Sequence, residues 1–529
     1  MGKYINPGNE GFARILRSPY VDKTGIIGLV NQVIDTPQSL ICVSRPRRFG
    51  KSYAAQTLCA YYDCSCDSAA LFDGLSISTE DDAKSLYHQH LNRYNVICLD
   101  MAGIIAEVGV RDVASHAKNL IASDLANEFP QIDPLISLSS MLLKVVELTG
   151  KKVFMIIDEW DAPIRQAIGK QDVQQGYLEF LRSLFKNTGI TERVFAGVYM
   201  TGILPVKKDG SQSALSDFGE FTMLKPYGFA RYVGFLEEDV RVLCETHNGS
   251  MDELKRWYDG YELKGVGPVY NPNSVMKALL LGECASFWAQ SSVSDNLMSY
   301  LSIDFDGVAK AAADLLGGNP VAIDASGFKN DLESFGSRDD VLTLLVHLGY
   351  LSYDEETRTV RIPNEEVRIE FSRSIRMDAR EETVRRLRES DQLIQDTISM
   401  NSEAVAAQIE RIHEQETTPL FYNDEQALRS VIKLAYFCYK DHYVQLEELP
   451  SGTGFADVAY IPRKNSPYPA LVVELKWNDS AEAAVEQIRR KRYPDALKDF
   501  GGDILLVGIS YDKHASSESR KHSCLIERA

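Results

Sequence analysis

Four apolar runs constrain the fold of this chain most: "SLICV" at 39–43, "NVICLD" at 95–100, "VFMIIDEWD" at 153–161 and "RVFAGVYMTGI" at 193–203. Each is short and apolar, which is the pattern of a strand buried on both faces. Stretches with helical spacing lie between them, such as 53–62 and "LISLSSMLLKVVEL" at 135–148. Strands alternating with helices predict a mainly parallel α/β sheet, with ligands at the carboxyl ends of the strands. The chain has 529 residues, which exceeds one ordinary core and predicts two or three domains.

The first run leads directly into "SRPRRFGKSY" at 44–53. Its second half fits the phosphate-binding loop pattern G-x-x-x-x-G-K-[ST], and its context of strand, loop and helix is the one that pattern requires. Arg45 stands where the first glycine belongs. That glycine mainly eases a turn, so its loss removes no phosphate ligand, and Pro46 can shape the turn instead. Residues Arg48, Phe49, Gly50, Lys51 and Ser52 form the expected cradle for a nucleotide, taken as ATP. Its backbone N–H groups face phosphate at a helix start. Lys51 neutralises the β- and γ-phosphates, and the Ser52 hydroxyl holds Mg²⁺.

The third run ends in Asp158 and Glu159. Asp158 is expected to support the magnesium and Glu159 to orient or deprotonate the attacking water. The same pair also suits a helix cap with a first-turn acid. The loop and the acids, in order and each on its expected element, together favour the nucleotide reading. Thr201 ends the next strand, where it either senses the γ-phosphate or caps a loop.

Hydrophobic residues make up 44% and charged residues 25%, the balance of a globular protein. No apolar run reaches the ~20 residues of a membrane helix, and the start "MGKYINPGNEGF" has no signal core. The expectation is a cytoplasmic protein without a membrane partner. A net charge of −18 excludes a general nucleic-acid coat, so such contact would need a local basic patch. "RPRR" at 45–48 and "RRKR" at 489–492 are the candidates, the second read more readily as a solvated face. The nine cysteines read as buried free thiols. "CSC" at 64–66 with His88 and His90 lacks the spacing of common zinc modules.

From about 230 to 420 the pattern turns mostly helical, with a hairpin expected within 349–368. From 424 a second α/β unit follows, containing "GFADVAYIP" at 454–462 and "ALVVELKW" at 470–477. Period-two alternation puts Val472, Glu474 and Lys476 on one face of a strand. Either Glu474 and Lys476 form an exposed salt bridge, or they join Asp457 of the neighbouring strand in a metal site. Asp457, Glu474 and the Leu475 carbonyl offer hard oxygens suited to Mg²⁺ or Mn²⁺, and Lys476 can assist attack on a phosphodiester. Glu425, Gln487 and Tyr493 are further candidates.

The stretches "YVDKTGII", "SRPRRFGKS", "IIDEWDAPI", "MTGI", "WYDGY", "YNPNS", "GYLSY", "IPNEEVR", "FADVAY" and "VVELKW" occur in this order along nearly the whole chain. In them the chain resembles the bacterial AAA-ATPase-like family whose C-terminal region is a PD-(D/E)xK nuclease-like domain. The resemblance implies that the arginine-rich loop is the family's usual form, and that Asp457, Glu474 and Lys476 are a nuclease triplet. "LSDFGEFTML" departs from the family, which has an asparagine-rich stretch there. The expected fold class is α/β. It comprises an N-terminal P-loop parallel-sheet domain of the AAA/STAND-like kind (1–230), a helical middle or lid (231–420) and a restriction-endonuclease-like α/β domain (421–529). The expected function is ATP hydrolysis combined with metal-dependent cleavage of nucleic acid, DNA or RNA, gated by ATP. The rival is a nucleotide-dependent switch or scaffold whose C-terminal domain binds nucleic acid or protein without cutting. Self-association is a further expectation.

Overall fold

A computed structural model describes residues 2–79, 81–186, 189–206, 215–288, 307–328, 335–377, 381–416, 428, 429, 432, 436, 443–451, 454–462, 468–491, 502–515 and 520–529. The chain divides into two compact units: Met1–Leu297 with Ala322–Glu370, and Met298–Val321 with Phe371–Ala529. The middle region expected at 231–420 is therefore shared between the two.

The first unit is built on β1 (Leu40–Ser44), β2 (Asn95–Asp100), β3 (Val153–Asp158), β4 (Phe195–Gly202) and β5 (Gly219–Phe221). Every pairing is parallel and the order is β2-β3-β4-β1-β5. The four apolar runs supply β1 to β4. β5 arises in "LSDFGEFTML", where three partly exposed residues carry no apolar signal. Period two gives β3 two different faces. Met155 and Ile157 join the core that also holds Met141, Leu142, Tyr177 and Leu181. Phe154 stacks on Tyr62 of the Lys51–Tyr62 helix, centroids 4.0 Å apart. The face carrying Phe154, Ile156 and Asp158 is thus the face beneath the phosphate-loop helix.

Much of the middle segment packs behind that loop. β6 (Phe235–Leu236), β7 (Tyr261–Leu263) and β8 (Gly267–Tyr270) form a small sheet. After the two-residue strand β9 (Val321–Ala322) comes the hairpin of β10 (Ser352–Asp354) and β11 (Thr359–Arg361). The expected helix then begins at Glu365. Tyr261 of "WYDGY" packs edge-on against Phe49 at 5.2 Å, and its hydroxyl donates to the Gly349 carbonyl at 2.7 Å. Gly349, at φ +87°, lies so close to Pro46 that an added Cβ would sit 2.6 Å from the proline ring. A Cβ on Gly260, at φ +99°, would meet the Pro363 carbonyl at 1.9 Å. The motifs from 257 to 368 are therefore largely the brace of the phosphate loop.

Glu366 anchors this brace. It accepts hydrogen bonds from the Ser274 hydroxyl at 2.9 Å and the Phe287 N–H at 2.8 Å. Burial pushes its pKa up to about 7, against the opposing pull of both bonds and of Arg48. The folded state thus favours the protonated form. The stability this contributes is full below the ordinary carboxylate range and is lost as pH rises through about 7. Glu366→Gln keeps the accepting oxygen without the charge. It is expected to gain about 1–3 kcal/mol on wild type between about pH 5 and about pH 8. Urea unfolding at the two pH values tests this, and identical pH dependence in both proteins contradicts it.

The second unit carries β12 (Tyr443–Ser451), β13 (Gly454–Pro462), β14 (Ala470–Trp477), β15 (Ile504–Tyr511) and β16 (His522–Arg528), in chain order across the sheet. All neighbours are antiparallel except β14 and β15, which are parallel and joined through the Ala481–Arg490 helix. That helix presses Val485 and Ile488 onto Val472 and Leu506. Gly508 permits the approach, since a Cβ there would lie 2.3 Å from the Ala481 carbonyl oxygen. No described helix is long and apolar enough to cross a membrane. Glu425 and Tyr493 lie outside the described residues.

Candidate functional site

The phosphate loop forms where β1 ends. Gly50, at φ +89° with nothing within 4 Å of a would-be Cβ, is required for its backbone conformation and not for space. The helix starts at Lys51 without a side-chain cap, leaving its first N–H groups to a ligand. Lys51 is buried, and its Nζ donates to the Pro46 carbonyl at 2.9 Å. Burial lowers its pKa, while Glu159, Asp158 and Asp161 oppose this.

Arg45 does not face this site. It is fully buried and its Nη1 donates to the Ser44 carbonyl at 2.8 Å and the Phe221 carbonyl at 3.0 Å. Its own N–H donates to the Gly202 carbonyl at 3.0 Å. The arginine in the first-glycine slot thus fastens the end of β1 to β5 and β4. Burial lowers its pKa to about 10, which leaves it charged at neutral pH. Arg48 and Phe49 belong to the expected cradle, in which backbone N–H groups meet phosphate, and both line the cavity described below. The Arg48 side chain donates to the Phe287 carbonyl at 2.6 Å, and the Phe49 ring is buried against Tyr261. Their side chains hold the loop in place, which leaves backbone to meet a ligand.

Parallel register aligns Asp100, Asp158 and Thr201 at the ends of β2, β3 and β4, with Val43 of β1 next in line. Burial raises Asp158 to a pKa of about 6, opposed by a hydrogen bond from Ser52 and by Lys51. Ser52 and Asp158 are thereby brought together as expected. Thr201 is fully buried, and its hydroxyl has no hydrogen-bond partner among the described residues.

Glu159 adopts φ +53°, a costly conformation for a residue with a Cβ. Its Oε2 accepts from Arg165 Nη2 at 2.6 Å, and Arg165 Nε reaches Asp161 Oδ2 at 2.8 Å. Asp161 is buried and also accepts from the N–H groups of Ile203 and Leu204 at 3.2 and 3.0 Å. Arg47 of the loop feels Arg165, Glu159 and Asp161. Arg47 was visible only as part of the basic stretch at 45–48, and Asp161 and Arg165 carry one signal in the sequence, their i,i+4 spacing at a helix start.

A cavity of about 410 Å³ opens on this loop. Its lining includes Gly50, Lys51, Ser52 and Glu159 together with the apolar and aromatic Tyr20, Val21, Tyr232, Phe235 and Met276. A few polar and cationic groups among apolar side chains within a single cleft is the pattern of a small-molecule site.

The second unit gathers a separate cluster. β13 and β14 pair only as far as Val458 opposite Val473. Beyond that point the Leu475 N–H donates to Asp457 Oδ2 at 2.8 Å. Glu474 and Lys476 share a face as the alternation predicted, with Lys476 Nζ 3.5 Å from Glu474 Oε1. Gln487 donates to the same Oε1, while Oε2 is buried without a partner among the described residues. Burial, then Asp457, raise Glu474 to a pKa of about 7, with Lys476 and Lys491 opposing. Arg429 pairs with Asp457, and nothing in its sequence context signalled that. Among the described residues no group of three or more His, Cys, Asp or Glu is arranged to hold a metal.

A protein named for the vnfD 5′ region of Azotobacter chroococcum mcd 1 is 23% identical over 308 residues, 57% of this chain and 56% of that protein. The chain thus spans little more than half of that relative. The ORC2 protein of Aeropyrum pernix, solved as ADPNP-ADP complexes, aligns over 68% of this chain and 96% of its own at 12% identity and a TM-score of 0.25. C. elegans PCH-2 aligns over 61% and 67% at 10% identity and a TM-score of 0.22. Likenesses at such scores carry no argument here. Residues 8–211, which hold the phosphate loop, Asp158, Glu159 and Thr201, match the family model of a predicted AAA-ATPase.

Proposed function

We propose that the first unit binds ATP and hydrolyses it. The cavity whose lining combines Lys51, Ser52 and Glu159 with apolar and aromatic side chains carries this reading. Phosphates would lie on the N–H groups of residues 50–52 and on Lys51, with the base against Tyr20, Phe235 and Met276. Ser52 and Asp158 form a donor set that fits Mg²⁺: a hydroxyl hydrogen-bonded to a buried carboxylate, both hard oxygen ligands. Bound there, the ion would neutralise phosphate charge. Glu159 would orient the attacking water. Lys51→Ala is expected to weaken ATP binding at least tenfold, since a charge-assisted contact contributes about 1.5–3 kcal/mol. Calorimetry reads the affinity, and an unchanged value contradicts the assignment.

We propose for the second unit a divalent-metal-dependent cleavage of nucleic-acid phosphodiesters, gated by the ATP-bound state of the first. The observation favouring it is the buried Oε2 of Glu474, without a partner among the described residues, at the point where β13 and β14 separate, with Asp457 and Lys476 beside it. Two carboxylates suffice for Mg²⁺ when phosphate and water complete its shell. Asp457, Glu474 and the Leu475 carbonyl would hold the ion, and Lys476 would steady charge on the phosphate. The rival is a unit that binds nucleic acid or protein without cutting. Incubation with DNA or RNA and Mn²⁺ separates the two.

A further inference from the structure

We propose that Arg165 is the positioning residue for Glu159, holding one carboxylate oxygen so that the other is presented to the attacking water. This rests on reading the cavity as an ATPase site. The turn after β3 places Glu159 at φ +53° on the cavity wall. A glutamate side chain there has several rotamers, and few of them aim an oxygen at a fixed point. The Arg165 contact at 2.6 Å to Oε2 removes that freedom and leaves Oε1 to accept from water.

The guanidinium is itself fixed by the neighbouring N–H of the same edge. Its Nε bonds Asp161 at 2.8 Å, and Asp161 is pinned by the Ile203 and Leu204 N–H groups immediately beyond β4. The chain of contacts therefore runs from the sheet through Asp161 and Arg165 to the oxygen that meets water. Arg165 is 14% exposed and Glu159 24%, so solvent screens the pair less than a surface pair. A rigid planar fork that holds two carboxylates on adjacent N–H groups is what arginine supplies and lysine does not.

The test uses the full chain with Arg165→Ala and Arg165→Lys, each alone and combined with Glu159→Gln. Phosphate release gives kcat and KM, calorimetry gives ATP affinity, and thermal melts report folding. Arg165→Ala is expected to lower kcat about 10–100-fold with KM within about twofold, since misplacing a reacting group by about 1 Å costs that order. Arg165→Lys recovers part of kcat, because an ammonium keeps one contact to Glu159. In the Glu159→Gln background, Arg165→Ala changes the residual rate by less than about threefold, as residues acting as one unit do.

A rise in kcat in Arg165→Ala overturns the inference, because Arg165 would then withhold Glu159. Equal fractional loss in both backgrounds overturns it too, as a purely structural clamp on Asp161 behaves that way. Should Arg165→Ala not fold, the cycle with Arg165→Lys decides by the same criterion. A wild type that binds ATP yet releases no phosphate removes the ATPase reading and this inference with it. Wild-type turnover with either contrary pattern removes the inference alone.

Discussion

Glu159→Gln is expected to bind ATP and Mg²⁺ as wild type does while phosphate release falls by about 10²–10⁴-fold. The substitution keeps the side chain's shape and its contact with Arg165, and removes the charge that activates water. Nucleotide affinity resides elsewhere, on Lys51 and the N–H groups of residues 50–52. Phosphate-release and calorimetric measurements on one preparation separate the two effects. A mutant that turns over at the wild-type rate places the general base at another residue. The same protein reports on coupling. Held in its ATP-bound state, it should cut nucleic acid when ATP is present if binding alone shifts the second unit. Loss of cutting points to a device driven by repeated hydrolysis, and cutting indifferent to ATP removes the gate.

Asp457→Ala, Glu474→Ala and Lys476→Ala are each expected to abolish cleavage and spare ATP hydrolysis. The first two also weaken Mn²⁺ binding, because each removes a carboxylate at the separation of β13 and β14. Lys476→Ala should leave Mn²⁺ affinity nearly intact, since its amine contacts Glu474 and not the ion. Glu474→Ala also leaves the Gln487 amide without its acceptor, so a melt must accompany the assay. Plasmid and single-strand cleavage with Mn²⁺ are the readouts. Cleavage persisting in Asp457→Ala places the activity elsewhere.

Elements dominated by one local rule were legible in the sequence. β1 to β4 were visible because each buries a continuous apolar run. Glu474 and Lys476 share a face because strand side chains alternate. β5 escaped because it is three residues long and held by Arg45, a contact no pattern of spacing encodes. Arg45 looked like a defect in a loop motif, yet tertiary contacts make it a fastener. Arg48 and Phe49 sit within the motif, and their side chains turn to Phe287 and Tyr261, far along the chain. Arg165 was missed for the opposite reason: its partners are near in sequence, but φ +53° at Glu159 creates the pairing, and side-chain patterning does not reveal a left-handed residue. Arg429 meets Asp457 only through the fold of the second unit.

A crystal structure of the protein with a non-hydrolysable ATP analogue and Mg²⁺ tests the central claim most directly. Phosphates are expected on the N–H groups of residues 50–52 and on Lys51, the ion at Ser52 and Asp158, and the base against Tyr20, Phe235 and Met276. An analogue bound elsewhere, or none at saturating concentration, contradicts it.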